Sequence, residues 1–437
     1  MKSHTSIALG FLALILVGAI VLSSPWARMA GTWGDFQTAL FTACSAVCVT
    51  GLSVVDIAQE FSREGQLVLL ALVQLGCLGL MTCGTFLLVA IGRRLSLSRE
   101  FTLMNAYGVA EIHGLRSLIL WVVGSMAVIE CVCAALLYWR GLGAYPAVFY
   151  SMMSFCNAGF SLSPQSLGQF IEDPVIVLVL AMETILGGIG FLVIYNLCTF
   201  KFLRRPSGGK GRLSLHAAVV LRVTAFLLLI TCLFFLVVEW NGVLGGMPLL
   251  KKLYVTFYQS VTPRTCGFTV VATEALQPVT RLFYEALMFI GGSPGSAAAG
   301  IKVTTFAVLI YTVRAMCRGE TETVISRHVV PTDIVRESIV IVMAMLFSML
   351  VFTGVLLMTE AESGIPVDRL FFEVVSAVTT TGLSIGDTTA RLSSGGRIAL
   401  MFAMFFGRLG ALTVVMMIGD RESQLHIRFP QGELVVG

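Results

Sequence analysis

Charge is the first thing this sequence has little of. Asp, Glu, Lys and Arg make up 12% of its 437 residues, against roughly 25% in soluble domains. A soluble fold must wet its outside, and this chain lacks the side chains to do so. Histidine is scarce too. The five, at positions 4, 113, 216, 328 and 426, sit in tails or loops, and no HExxH occurs. Without a metal or nucleophile constellation, a membrane-embedded enzyme is excluded as a class. No GxGxxG and no GxxxxGK(S/T) is present, so the chain has no nucleotide-binding loop of its own. The eleven cysteines form no CxxC pair and no zinc-spaced Cys/His cluster. Cys77, Cys131, Cys133, Cys198 and Cys232 lie in apolar runs and read as small buried hydrophobes. A net charge of +4 leaves no footprint for nucleic acid.

What is present is apolar. Hydrophobic residues are 57% of the chain and the mean hydropathy is +0.89. The chain reads as an all-α, polytopic, multi-pass protein of the lipid bilayer. A span needs about 20 apolar residues. Eight runs qualify: 5–23, 66–91, 116–139, 174–200, 217–239, 279–311, 336–359 and 396–418. Lys2 before the run 6–22 has the outline of a signal peptide, but the run is too long and lacks a clean small-residue site. It reads as the first helix.

The gaps between runs alternate in kind. The odd gaps hold FTACSAVCVTGLS (41–53), FYSMMSFCNAGFS (149–161), FYQSVTPRTCGFT (257–269) and FEVVSAVTTTGLS (372–384). They align on Gly51, Gly159, Gly267 and Gly382, spaced by 108, 108 and 115 residues. Ten residues before each glycine stands Phe41, Phe149, Phe257 or Phe372, and two after it Ser53, Ser161, Thr269 or Ser384. Four hits in phase with hydropathy mark a fourfold repeat. The units run over about 1–100, 101–212, 213–330 and 331–437, each a helix, a short re-entrant segment, a glycine turn and a helix. The loops between units hold fourteen Lys and Arg, against eight within units. The positive-inside rule then puts both termini in the cytoplasm and the glycine turns on the outer side.

Non-helical backbone at membrane depth is tolerated only inside protein or along a water-filled cavity. A short helix ending there points a partial negative charge inward, which favours cations. Glycine lets the following carbonyls turn toward a common axis. Four helix–pore loop–helix repeats around a pseudo-fourfold central pore would replace a cation's hydration shell with carbonyl oxygens. The stretches are Cys48, Val49, Thr50 and Gly51; Cys156, Asn157, Ala158 and Gly159; Arg264, Thr265, Cys266 and Gly267; and Thr379, Thr380, Thr381 and Gly382. Arg264 would repel cations on the axis, so it is expected to point away and brace its stretch. Asp56 and Asp387, each five residues past a glycine, read equally as an acidic mouth or as ordinary loop charges. Glu130, Glu285 and Glu373 read as buried hydrogen-bonding partners.

The run 279–311 contains GGSPGSAAAG. Gly291, Gly292, Ser293, Pro294, Gly295, Ser296, Ala297, Ala298, Ala299 and Gly300 cannot hold a regular helix. The stretch reads as a plug below the turns, with Lys302 beside the ion path; a kinked packing helix is the plainer alternative. Arg408, in the last apolar run, is costly there and reads as functional. The plainer alternative for it is an ion pair with Glu183.

The pattern SAVCVTGLSV, SFCNAGFS, SVTPRTCGF, SAVTTTGLS resembles the Trk/Ktr/HKT superfamily of potassium transporters over essentially the whole chain. Eight helices without an extra N-terminal pair make it most similar to the Ktr-type membrane subunit. The resemblance implies K+ at the carbonyls around Gly51, Gly159, Gly267 and Gly382. Members with Ser at the first filter glycine tend to pass sodium, so Gly51 implies potassium preference. One glycine per stretch, rather than the two of TVGYG, implies less strict discrimination. Residues Gly291 to Lys302 match an intramembrane gating loop, and Arg408 an arginine under the filter. A homodimer in the cytoplasmic membrane is implied, with a cytosolic nucleotide-binding regulatory ring of the RCK or KtrA type below it. Loops 92–115 and 201–216 would dock that ring, and the tail 426–437 would reach toward the dimer interface. The function expected is potassium uptake, with Na+ either a stimulating or a co-transported ion. A symporter or carrier with alternating access is the alternative, but four units of like topology fit it less well than a pore.

Overall fold

The computed structural model describes residues 3–79, 115–202 and 213–410. The candidate docking loops 92–115 and 201–216 lie largely outside them, and the tail 426–437 wholly so.

One set of elements recurs along the chain. The first quarter has α1 (Ser3–Ser23), α2 (Phe36–Val47) and α3 (Arg63–Leu78). The second has α4 (Leu115–Trp139), α5 (Ala144–Cys156), α6 (Pro174–Ile189) and α7 (Phe191–Phe202). The third has α8 (Leu215–Val238), α9 (Leu249–Val261), α10 (Pro278–Phe289) and α11 (Val303–Cys317). The fourth has α12 (Thr332–Thr359), α13 (Val367–Val378) and α14 (Ser394–Leu409). A two-residue hairpin, β1 (Val324–Ile325) with β2 (His328–Val329), precedes α12.

The first helix of each quarter is long and lines the outside. Val17, Val128, Phe226 and Leu350 stand exposed on α1, α4, α8 and α12. Apolar side chains facing outward suit hydrocarbon rather than water. Among the described residues three helices are long and apolar enough to span a bilayer: Leu120–Trp139, Leu215–Val238 and Thr332–Thr359. The short helices α2, α5, α9 and α13 are buried over most of their length, with Phe41, Phe149, Tyr258 and Phe372 fully enclosed. Starts are fixed locally. The Asp35 carboxylate accepts from Thr38 N at 3.0 Å to cap α2, and Ser62, Asp173 and Ser393 cap α3, α6 and α14.

The second helices of the first, second and fourth quarters depart from expectation. Runs 66–91, 174–200 and 396–418 read as unbroken spans. Instead α3, α6 and α14 stop at Gly79, Gly190 and Gly410, at φ of +75°, +93° and +82°. At Gly190 the chain bends by 99° into α7. Hydropathy averages over a lone glycine, but one left-handed residue ends a helix. The cysteines also divide: Cys77 is buried, whereas Cys131 and Cys198 are exposed. An apolar surround tolerates a thiol on the outer face.

Candidate functional site

The four glycine stretches share one backbone geometry. Two residues before each glycine the chain turns left-handed: Val49, Asn157, Thr265 and Thr380 have φ of 56°, 57°, 60° and 49°. The glycines follow at 90°, 68°, 78° and 83°, and the residue between is not left-handed. A left-handed non-glycine costs about 1–2 kcal/mol and persists only where its surroundings over-determine it. The determinant is a return hydrogen bond. Thr50 N, Ala158 N and Thr381 N donate to Ser45, Met153 and Ser376 carbonyls at 2.8, 2.9 and 2.8 Å, and Cys266 N to Thr262 O at 3.2 Å.

The glycines meet in cyclic order. A Cβ on Gly51 would collide with the Ala158 carbonyl oxygen. One on Gly159 would lie 2.9 Å from Gly267 Cα and 3.0 Å from Cys266 O. One on Gly267 would lie 2.8 Å from Thr381 O, and one on Gly382 would collide with Thr50 O, which closes the cycle. The side chains of the stretches, Arg264 included, are buried. Beyond the glycines opens a cleft of about 310 Å³, lined by Gly51, Gly159, Gly267, Ser53, Ser161, Thr269, Ser384 and Asp56. Asp387 is exposed and outside its lining.

Two stretches are braced by different chemistry at one repeat position. Tyr150 Oη lies 3.2 Å from Ser161 Oγ and accepts from Gln169 Nε2 at 3.0 Å. In the fourth repeat Glu373 accepts from Ser384 Oγ, and from Thr389 Oγ1 at 2.7 Å. Glu130 accepts from Gln74 at 2.8 Å, so two of the three expected carboxylates are hydrogen-bonded partners. The third, Glu285, is half-buried and has no hydrogen bond to a described residue.

Residues 291–302 form a loop between α10 and α11. Gly291 N donates to Ile301 O at 2.9 Å and Val303 N to Gly292 O at 3.0 Å, which pinches its base. Ser293 N donates to Gly188 O at 3.0 Å, and Phe191 N to Gly295 O at 3.0 Å, which ties it to the α6–α7 bend. Small side chains permit this approach; a Cβ on Gly291 would collide with Ala299 O. Three cations serve its carbonyls. Lys302 Nζ donates to Ala298 O at 2.6 Å, Arg408 Nη1 to Ala297 O at 2.7 Å, and Arg264 Nη2 to Gly291 O at 3.4 Å. Arg408 also donates to Gly76 O of α3. Among the described residues none of the three forms an ion pair, so the Glu183 alternative for Arg408 falls away. Arg264 points toward α8 and the loop, with Nη1 at 3.4 Å from Thr224 O.

Sequence reading missed the glycines on the second helices. A Cβ on Gly76, Gly187 or Gly407 would collide with the carbonyl of Val47, Phe155 or Val378, at the end of a short helix. Gly76 and Gly407 each stand 25 residues past their ring glycine, so repeat alignment carried the signal.

Apolar outer helices around a buried ring of backbone define an integral membrane protein. The family model described as cation transport protein, TrkH, matches residues 18–424. The Ktr system potassium uptake protein B of Bacillus subtilis (strain 168) is 34% identical over 99% of this chain and 96% of its own. The potassium/sodium uptake protein NtpJ of Enterococcus hirae is 31% identical, over 99% and 96%. The structure of the potassium transporter TrkH from Vibrio parahaemolyticus matches with a TM-score of 0.75 at 16% identity, over 96% of this chain and 86% of that one, a likeness of fold. The chain belongs to the TrkH/Ktr family of cation transport proteins, which are ion transporters and not enzymes.

Proposed function

We propose that this chain is a potassium-uptake pore of the cytoplasmic membrane. The observation that carries the reading is the closed cycle of the four glycines, each against the carbonyl before the next. In this reading four repeats, near 1–100, 101–212, 213–330 and 331–437, surround one pseudo-fourfold axis. Alternating left-handed residues rotate successive peptide planes, so the carbonyls of the four stretches aim at that axis and replace potassium's hydration shell. The cleft beyond the glycines is the outer mouth, where Asp56 concentrates cations. Both termini are cytoplasmic.

The loop 291–302 is the gate. It lies against the α6–α7 bend, and Arg408 fastens it to α3. Ions leaving the ring pass beside the guanidinium, an electrostatic barrier that moves when the loop moves. In this reading control comes from a second protein: the chain forms a homodimer above a cytosolic nucleotide-binding ring, and relatives named as one component of a Ktr system support a partner subunit. Membrane potential drives uptake, with sodium either a stimulating or a co-transported ion.

Cation flux in proteoliposomes containing this chain alone tests the filter. Potassium should pass in preference to sodium. Gly51→Ser places a Cβ against the Ala158 carbonyl at φ +90° and should abolish that preference. Equal flux of both ions, unchanged by the substitution, would sink the filter assignment.

A further inference from the structure

Behind the second glycine stretch, two carboxyl groups lie inside the bundle. Glu130 on α4 is 8% exposed and Glu183 on α6 is 0% exposed. Ser151 of α5 stands between them. Its Oγ is 2.8 Å from the main-chain carbonyl oxygen of Glu130 and 2.5 Å from Glu183 Oε1.

Hydrogen counting decides how the contacts are made. A hydroxyl has one hydrogen, and a carbonyl oxygen has none to give. Both contacts are short enough to require one. One hydrogen cannot serve both contacts at full strength; with it on the Glu130 carbonyl, the hydrogen in the 2.5 Å contact comes from Glu183. Were Glu183 ionised, Ser151 would turn to it and leave two oxygens 2.8 Å apart with nothing between them.

The other oxygen gives an independent argument. Glu183 Oε2 is buried with no hydrogen-bond partner. An ionised carboxylate accepts at both oxygens and is costly to bury without donors or a cation. The groups facing Glu183 are Glu130 and Cys133 from α4, Ser151 from α5 and Tyr258 from α9; none is cationic, and the Cys133 thiol is only a weak donor to it. Arg408 is engaged with Ala297 and Gly76 instead. Glu130, by contrast, receives the Gln74 amide at both oxygens, at 3.0 and 2.8 Å. Two neighbouring acids in one dry site do not both ionise; the donors sit on Glu130 and the proton belongs on Glu183.

We propose that Glu183 is a proton-binding site, a neutral carboxylic acid whose O–H, donated to Ser151, positions α5 and the second glycine stretch. Glu183 does not touch the ion; it is a positioning residue. The link onward is short. Ser151 lies five residues before Cys156, and the Cys156 thiol donates to Gln74 Oε1 at 2.9 Å, whose amide holds Glu130. Removing the proton at high pH forces the Ser151 hydrogen to leave the Glu130 carbonyl, which unties α5 from α4. The effect on flux rests on the pore reading above, whereas the protonation does not.

The test uses the full chain in lipid nanodiscs and proteoliposomes. Infrared difference spectra in light and heavy water should contain a protonated-carboxyl stretch that Glu183→Gln removes. Potassium preference should be lost as pH rises in the wild type. Glu183→Gln retains an N–H donor for Ser151 and should hold the preference at every pH, while Glu183→Ala loses it throughout. A carboxyl band unchanged in Glu183→Gln would overturn the proposal. So would Glu183→Gln behaving like Glu183→Ala at acid pH. A wild type that conducts no cation at any pH removes the pore reading instead, and the infrared arm still decides the proton.

Discussion

Arg408 Nη1 donates to the Ala297 carbonyl oxygen at 2.7 Å, across 111 residues of sequence. The same guanidinium donates to Gly76, so one side chain joins α14, α3 and the loop 291–302. Arginine suits this place, because its fork reaches two carbonyls at once and keeps its charge when buried.

Arg408→Ala should therefore release the loop. Charged hydrogen bonds contribute about 1.5–3 kcal/mol each, and both are lost together. Potassium flux through the chain alone should rise several-fold. A cysteine at Ser296, introduced in an otherwise active chain, should react faster with a soluble maleimide. Flux that stays level or falls in a normally folded Arg408→Ala protein would show that the contact does not restrain the loop.

The four glycine stretches were legible in the sequence because their marks are local and periodic. A phenylalanine, a glycine and a hydroxyl recur at fixed offsets, and the Gly/Ala-rich run 291–300 breaks a helix wherever it falls. Partner choice was not legible. Arg408 and Glu183 look like an ion pair in a list of membrane charges, yet Arg408 takes carbonyls and Glu183 takes Ser151. The breaks at Gly79, Gly190 and Gly410 were hidden because hydropathy carries no φ. The collisions that exclude a side chain at Gly76, Gly187 and Gly407 arise only once two helices meet.

The ring tolerates no Cβ. Gly267→Ala combines φ +78° with a Cβ 2.8 Å from Thr381 O and 3.0 Å from Gly159 Cα. The left-handed backbone alone costs about 1–2 kcal/mol. Gly124→Ala is the control, since nothing lies within 4 Å of its Cβ. Gly267→Ala should lower the thermal midpoint in detergent and weaken potassium preference, and Gly124→Ala should do neither. Equal midpoints and equal preference for the two variants would argue against close packing at the ring.

Two buried acids anchor second helices from a distance. Glu239 accepts from Gln277 N at 2.9 Å and Thr280 Oγ1 at 2.5 Å at the start of α10. Glu360 accepts from Ser393 N at 2.9 Å and Ser393 Oγ at 2.5 Å at the start of α14. Each stands at the end of the preceding outer helix, so each couples two helices of one quarter. Alanine at either position strands helix N-terminal donors, at about 2–4 kcal/mol. Both variants should lose thermal stability by similar amounts. A loss confined to one would break the equivalence of the third and fourth quarters.

The braces at Tyr150 and Glu373 differ in chemistry, and so should their variants. Tyr150→Phe keeps the ring and removes one hydroxyl, which strands Gln169 Nε2 and the Leu162 N–H, now 3.0 and 3.3 Å from it. Gln169 is exposed and Leu162 half-buried, so water can serve them, and the loss should be about 1 kcal/mol. Glu373 is fully buried and takes Ser384, Thr389 and Ile385 N. Glu373→Ala leaves the buried Thr389 hydroxyl and the Ile385 N–H without this acceptor and should cost about 3 kcal/mol. Glu373→Gln keeps one acceptor oxygen, and the two hydroxyls can rotate to accept from its amide, so it should fall between. The braces belong to different repeats and share no partner, so the double variant Tyr150→Phe with Glu373→Gln should be additive. Thermal unfolding in detergent ranks all four. A Glu373→Ala protein no less stable than Tyr150→Phe would mean that the fourth stretch is held by packing and not by its carboxylate.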